Sequence, residues 1–137
     1  MSTIRLNIVS AEKELYDGEA SLVIAPGEQG ELGIKPKHTQ LLTRLKPGEI
    51  RIVKDGQEED EIFVSGGFLE VQPDLVTVLA DTAIRATDMD EAAALEAKQR
   101  AEEAVANHKG SVDLAQVLAE LAVAAAQLAF LKKIRRR

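Results

Sequence analysis

Glycine and proline stop at one point in this chain. All four Pro, and every Gly except Gly110, precede residue 74. After Asp81-Thr82-Ala83 the chain becomes rich in Ala, Leu, Glu and Lys. Gly and Pro punctuate turns, whereas Ala and Leu are strong helix formers. One chain therefore holds two kinds of structure, and the break falls near residue 87. At 137 residues it allows one ordinary domain, or one small domain plus an appendage. Two parts are expected, 1–87 and 88–137.

The first part reads as β-structure. Ile4, Leu6 and Ile8 alternate with Arg5 and Asn7, the period of a half-buried strand. Ser21 to Ala25 is a β-rich run ended by Pro26-Gly27. Ile50, Ile52 and Val53 lead to Asp55-Gly56, a favoured pair for a tight hairpin turn, and Ile62-Phe-Val64 follows. Phe68 to Val71 is broken by Pro73-Asp74, and Leu75 to Leu79 resumes. Turn signals at roughly 8–12-residue spacing predict a sandwich or a barrel.

The second part reads as two helices. Thr87 with Asp90, and Asp88 with Glu91, offer capping-box variants, so a helix is expected from about 89 to 107. Asn107-His-Lys-Gly110 is a stop, Ser111 a new N-cap, and Asp113 suits the first turn of a helix over about 112–134. That second helix carries Leu114, Val117, Leu121, Ala124, Leu128 and Leu131, a seam of helical spacing. The first presents Ala94, Ala97, Ala101 and Ala104 beside Leu95 and Val105. The short link predicts an antiparallel hairpin. Its Ala seam buries little area, so the helices form readily and hold each other weakly.

Charge follows the same division. Of the 17 Lys and Arg and 23 Asp and Glu, the first part has the acidic excess and the second is balanced but ordered. Asp88, Asp90 and Glu91 stand at the start of the hairpin, and Lys132, Lys133, Arg135 and Arg136 at its end. Antiparallel packing brings the two sets together, and each suits its own helix dipole. As solvated end charges they contribute only a few tenths of a kcal/mol each.

Little chemistry is present. The chain has no Cys and no Trp, and aromatics are 3% of residues. Disulfides, thiolate metal sites and Cys nucleophiles are excluded, and base stacking on rings is disfavoured. His38 and His108 lack partners at metal-ligand spacing. Gly27-Glu-Gln-Gly30 and Gly66-Gly67 lack the Lys-Ser/Thr of a phosphate loop and read as turns. Glu58 to Glu61 reads as a solvated strand start. No secretory leader is expected from MSTIRLNIVS, and the longest uninterrupted apolar run, Leu121 to Ala126, is far short of a membrane span. A non-catalytic, metal-free and cofactor-free protein is expected, without direct membrane insertion or nucleic-acid binding.

Several strings together resemble one family. Gly30-Glu-Leu-Gly-Ile34, Pro36-Lys-His38, Leu41-Leu-Thr43 and Leu45-Lys-Pro-Gly48 closely resemble the epsilon subunits of F-type ATP synthases. So do Val64 to Val71, Val76 to Ala83, Asp88 to Ala92 and Ala119 to Ala122. The resemblance runs the length of the chain, in order, and looks like the bacterial form, with the chloroplast form close. It implies a β-sandwich of about ten strands followed by the helical hairpin. It implies a place in the central stalk, with the sandwich packed on the gamma subunit and resting on the c-subunit ring. Stalk rotation then links proton flow to ATP synthesis at the cytoplasmic face of the bacterial inner membrane. The helices would rise as an arm toward the catalytic beta and alpha subunits and inhibit ATP hydrolysis. Lys132, Lys133, Arg135 and Arg136 would be the regulatory end of that arm, and Asp88, Asp90 and Glu91 its resting cradle.

By the same resemblance Glu31 and His38 would face the c ring, where Lys37 stands in place of a common Gly. Asp90 and Ala94 match a nucleotide motif of some members, but its Arg positions are Ala93, Ala125 and Ala129, and an acidic position is Ile84. Without guanidinium groups, phosphate binding is expected to be weak, leaving Asp90 as a remnant. The alternative class is a free-standing ligand-binding sandwich with a helical lid, which predicts a polar cleft with convergent aromatic or charged groups.

Overall fold

A computed structural model describes residues 2–107 and 114–135. The expected stop and restart at His108, Gly110, Ser111 and Asp113, and the end residue Arg136, lie outside the described residues. The chain divides into two compact units, Met1–Thr87 and Asp88–Arg137.

The first unit is a ten-stranded sheet folded on itself as a sandwich. Its strands are β1 (Ile4–Ser10), β2 (Glu14–Ala20), β3 (Leu22–Gly27), β4 (Gly30–Ile34) and β5 (Leu41–Leu45), then β6 (Gly48–Lys54), β7 (Gln57–Val64), β8 (Gly67–Val71), β9 (Leu75–Ala80) and β10 (Ala83–Arg85). The order is β10-β7-β6-β3-β5-β8-β9-β1-β2, with β4 paired to β3. The pairings are antiparallel except that of β1 with β9.

Period-2 alternation sends one face of each strand inward. Ile4, Leu6 and Ile8 of β1 are buried at 2%, 0% and 0% exposure, and Val76 and Val78 of β9 join them. Ile50, Ile52, Ile62 and Val64 supply the opposite wall. The turn at Asp55-Gly56 takes positive φ at both residues, 53° and 81°, the mirror-image turn that matches strand twist. Gly67 is required for a different reason. A Cβ there would lie 2.1 Å from the Leu79 carbonyl oxygen, so only glycine lets β8 approach β9.

The second unit contains α1 (Glu91–Ala106) and α2 (Leu114–Arg135), packed together as a hairpin. Asp90 is the N-cap of α1. Its backbone is extended, and its carboxylate accepts from the amides of Ala92 at 3.0 Å and Ala93 at 3.4 Å. Thr87 and Asp88, the other expected caps, are held in a 3-10 turn over Ala86–Asp88, so the helix starts two residues later than the pattern implied. Ala94 and Ala101 are buried on α1, with Ala97, Lys98 and Val105 half-buried beside them. Ala104 and Leu95 face solvent instead, because the seam follows spacings of four, three and four. On α2, Val117, Ala124 and Leu128 are buried as expected, Leu114 is exposed, and Phe130 is buried in addition.

The uninterrupted-run criterion under-read α2. Its segment Leu114–Ile134 has a mean hydropathy of 1.8, long and apolar enough by length and composition to cross a membrane. Isolated polar residues such as Glu120 and Gln127 break the run without lowering the average much. Ala supplies much of that hydropathy, and α2 packs on α1.

Candidate functional site

One outer face of the sandwich carries three large apolar side chains in solvent. Leu42 on β5 is 69% exposed, Phe68 on β8 43%, and Leu79 on β9 52%. Register explains the grouping. Arg44 pairs with Phe68, Phe68 with Leu79, and Leu79 with Val9, while Leu42 is opposite Glu70. Strand residues on one row share a face. The Arg44 guanidinium lies 5.4 Å from the Phe68 ring centroid, shielding one side of it. A lone exposed Leu needs no explanation, but three large apolar residues gathered on neighbouring strands mark an interaction surface. None of the three was singled out from the sequence. The signal was nonetheless present in Leu41-Leu42, Phe68-Leu69 and Val78-Leu79, since in a strand one of two adjacent residues must face away from the core.

The two expected ring contacts belong to consecutive segments of the chain, β4 and the connection that follows it. Glu31 is at the turn end of β4, opposite Pro26, and His38 lies in the connection beyond the other end, past Ile34 opposite Val23. The Glu31 side chain is 58% exposed, and its Oε1 accepts from Arg51 Nη2 at 3.3 Å. Arg51 also stands 3.8 Å from Glu49. Glu31 is thus partnered within its own unit, in a surface pair worth at most about 1 kcal/mol. His38 is half-buried, and its Nδ1 lies 2.7 Å from the Thr39 carbonyl oxygen, which assigns the proton to that nitrogen. Between them Lys37 adopts φ 65°, and its amide donates to the Pro73 carbonyl at 3.2 Å. A left-handed residue there accounts for the glycine common at this place in the family.

A groove of about 380 Å³ runs beside β4, lined by Gly27, Gly30, Glu31, Leu32, Leu41 and Thr43 among others. A shallower one lies by Leu42, Glu70 and Gln72. Neither gathers aromatic rings or opposed charges, the feature that a ligand-binding sandwich requires. Neither groove offers the lid alternative its ligand site.

In the helical unit, Asp88 and Asp90 are exposed and Glu91 half-buried. The Asp90 carboxylate is committed to capping its own helix. Lys132 and Lys133 are exposed near the end of α2, and the α2 backbone ends at Arg135. Neither Glu91 nor Lys133 stands without a partner. At the three positions where the resemblance leads one to expect Arg in a nucleotide-binding member, Ala93 and Ala129 are exposed and Ala125 is half-buried.

Comparison with known proteins bears on all of these residues. The model for the ATP synthase delta/epsilon chain β-sandwich domain matches residues 3–86, and that for its long α-helix domain matches residues 87–132. The chain is 60% identical to the ATP synthase epsilon chain of Halorhodospira halophila (strain DSM 244 / SL1), covering 100% of this chain and 98% of that one. It is 59% identical to that of Janthinobacterium sp. (strain Marseille), covering 98% and 97%. The fold is also similar to a chain in the Euglena gracilis mitochondrial ATP synthase OSCP/F1/c-ring structure. There the TM-score is 0.82 at 20% identity, covering 94% of this chain and 81% of that one. A chain of the Tetrahymena thermophila mitochondrial ATP synthase central stalk and c-ring gives a TM-score of 0.60 at 16% identity, covering 97% and 96%.

Proposed function

Because the chain belongs to the ATP synthase delta/epsilon family, we propose that it is a non-catalytic subunit of the central stalk in a bacterial F-type ATP synthase. The observation that carries this reading is a 60% identity running from one end of the chain to the other, through both units. The stalk transmits rotation between the c ring in the membrane and the catalytic head, and the chain contributes surfaces rather than reacting groups. Its place is the cytoplasmic face of the bacterial inner membrane.

The apolar face of Leu42, Phe68 and Leu79 is the surface we assign to the gamma subunit. It is the largest group of exposed apolar side chains on the β-unit among the described residues, and its removal from water would supply the binding energy. Glu31 and His38 are assigned to the c ring. The helical unit is assigned the regulatory role. The buried residues of α1 are Ala94 and Ala101, so α1 itself gives up little buried area when the helices part, and Lys132, Lys133, Arg135 and Arg136 can then meet acidic loops of the catalytic subunits.

The test is capture of the intact tagged chain from membranes of its source. Gamma and the catalytic head subunits are expected to co-purify. Leu42→Glu with Leu79→Glu is expected to lose gamma while the isolated chain stays folded. Capture without gamma, or gamma binding unaffected by the double substitution, would overturn respectively the stalk reading or the choice of face.

A further inference from the structure

The strand order has two ends, β10 and β2. β10 is only three residues long and pairs with β7 alone, through Ala83 opposite Val64, Ile84 opposite Phe63 and Arg85 opposite Ile62. None of its residues is fully buried. One side chain spans the gap between the two ends. Arg85 donates from Nη1 to the Asp60 carboxylate on β7 and from Nη2 to the Leu15 main-chain carbonyl on β2. The planar, forked guanidinium suits two acceptors at once, and a charged donor makes each bond stronger than a neutral one. Asp60 also accepts from the Glu61 amide through its other oxygen, at 3.0 Å, so its carboxylate is fixed in place to receive Arg85.

Just before β10 the chain is anchored separately. Ser65 and Thr82 exchange main-chain and side-chain hydrogen bonds, with the Ser65 amide on Thr82 O at 3.0 Å and the Thr82 amide on Ser65 Oγ at 3.0 Å. Thr82 Oγ1 lies 2.8 Å from Ser65 Oγ, and the Asp81 amide donates to Gly66 O at 3.0 Å. Just after β10 come the 3-10 turn and the cap at Asp90. The segment joining the units therefore begins at a short strand held by one ladder, one cation and the packing of Ala83 against the core, immediately downstream of a firm anchor.

We propose that β10 is a releasable strap and that Arg85 is its latch. With Arg85 engaged, the tether to the helical unit begins after residue 85. With Arg85 disengaged, β10 peels from β7 as far as the Ser65–Thr82 anchor, and the tether begins after residue 82. Three freed residues extend the reach by about 10 Å. Short segments with few buried contacts open locally while the rest of a domain stays closed. The strap stands on the β-unit alone and holds whatever the helices do in an assembled complex.

The experiment is amide hydrogen exchange on the full chain, comparing the unsubstituted protein with Arg85→Ala, Arg85→Lys and Arg5→Ala. Arg5 forms an exposed pair with Asp17 at 2.7 Å and serves as a charge-matched control. The amides of β10 that are bonded into the ladder with β7 are expected to exchange at least tenfold faster in Arg85→Ala. Arg85→Lys should show a smaller gain, since an ammonium cannot reproduce the fork. Amides of Leu6 and Val78 should be unchanged, and Arg5→Ala should match the unsubstituted chain. Because the chain has no Cys, two labels introduced at Gln57 and Glu102 report reach directly, and their distance distribution is expected to broaden in Arg85→Ala. Unchanged exchange in β10, or a rise shared equally by Leu6 and Val78, would overturn the latch. If Arg85→Ala does not fold, the unsubstituted chain decides the matter. Amides of β10 exchanging at the same rate as Leu6 and Val78 would show that no strap opens.

Discussion

Replacing Lys37 by Gly should stabilise this protein, although the substitution removes a side chain. Lys37 sits at φ 65°, where a Cβ crowds the following carbonyl. Holding an L-residue there costs about 1–2 kcal/mol relative to glycine. Against that, glycine loses more backbone freedom on folding, by about 0.5–1 kcal/mol. The difference is a net gain of roughly 0.5–1 kcal/mol. The side chain is exposed, so little packing is lost, and the bond from the residue 37 amide to Pro73 O survives in either residue. For a domain of this size that gain corresponds to a rise in Tm of about 2–8 °C. Thermal unfolding followed by circular dichroism is the assay, with Lys37→Ala as the companion variant. Alanine keeps the Cβ and removes the charge, so it should leave Tm unchanged within about 1 °C. A stabilisation by Ala equal to that by Gly would refute the backbone argument and transfer the effect to charge.

Three further outcomes are expected. A chain ending at Thr87 should keep a cooperative thermal transition, because the sandwich has its own buried core; a molten or aggregated fragment would count against that. Calorimetric titration of the full chain with ATP should show weak or undetectable binding, and micromolar affinity would contradict the assignment of Ala93, Ala125 and Ala129 to the missing Arg positions. Deleting residues 111–137 should raise ATP hydrolysis by the assembled complex. Neutralising Lys132, Lys133, Arg135 and Arg136 should give part of that rise, and unchanged rates after the full deletion would remove the inhibitory role.

Periodicity made some strands visible and hid others. β1, β6, β8 and β9 announce themselves by buried apolar residues at alternate positions, and β3 and β7 by short apolar runs. β2 has only Leu15 and Ala20 buried and is otherwise polar or half-exposed, so its alternation is too sparse to read. β4 carries two Gly in five residues, and β10 is three residues long. Family resemblance, rather than any local pattern, supplied the count of about ten. The parallel partnership of β1 with β9 has no local signature at all, because it is set by how ten strands close on one core.

The candidate surfaces were less legible still. Exposure is a property of the folded sheet, and Leu42, Phe68 and Leu79 look like core residues until the register shows which face they occupy. Asp90 could be read as a cradle acid, a nucleotide remnant or a cap. Its extended backbone and two accepted amide bonds commit its carboxylate to capping. Lys37 stands where the resemblance leads one to expect Gly, and its φ shows that the position is one of backbone strain.

The parallel pairing of β1 with β9 sets a clock on biosynthesis. Leu6 cannot find Val76 until some seventy further residues have been made, which takes roughly 4–14 s at ordinary translation rates of about 5–20 residues per second. During that interval the first strand has β2 on one edge and nothing on the other. β8 and β9, with only the three-residue β10 still to follow, are also the strands that carry Phe68 and Leu79 to the outer face. The sticky patch is therefore completed by the same event that seals the sandwich. A half-made chain has no finished surface to offer a partner, and incorporation into a larger machine waits on a closed sheet.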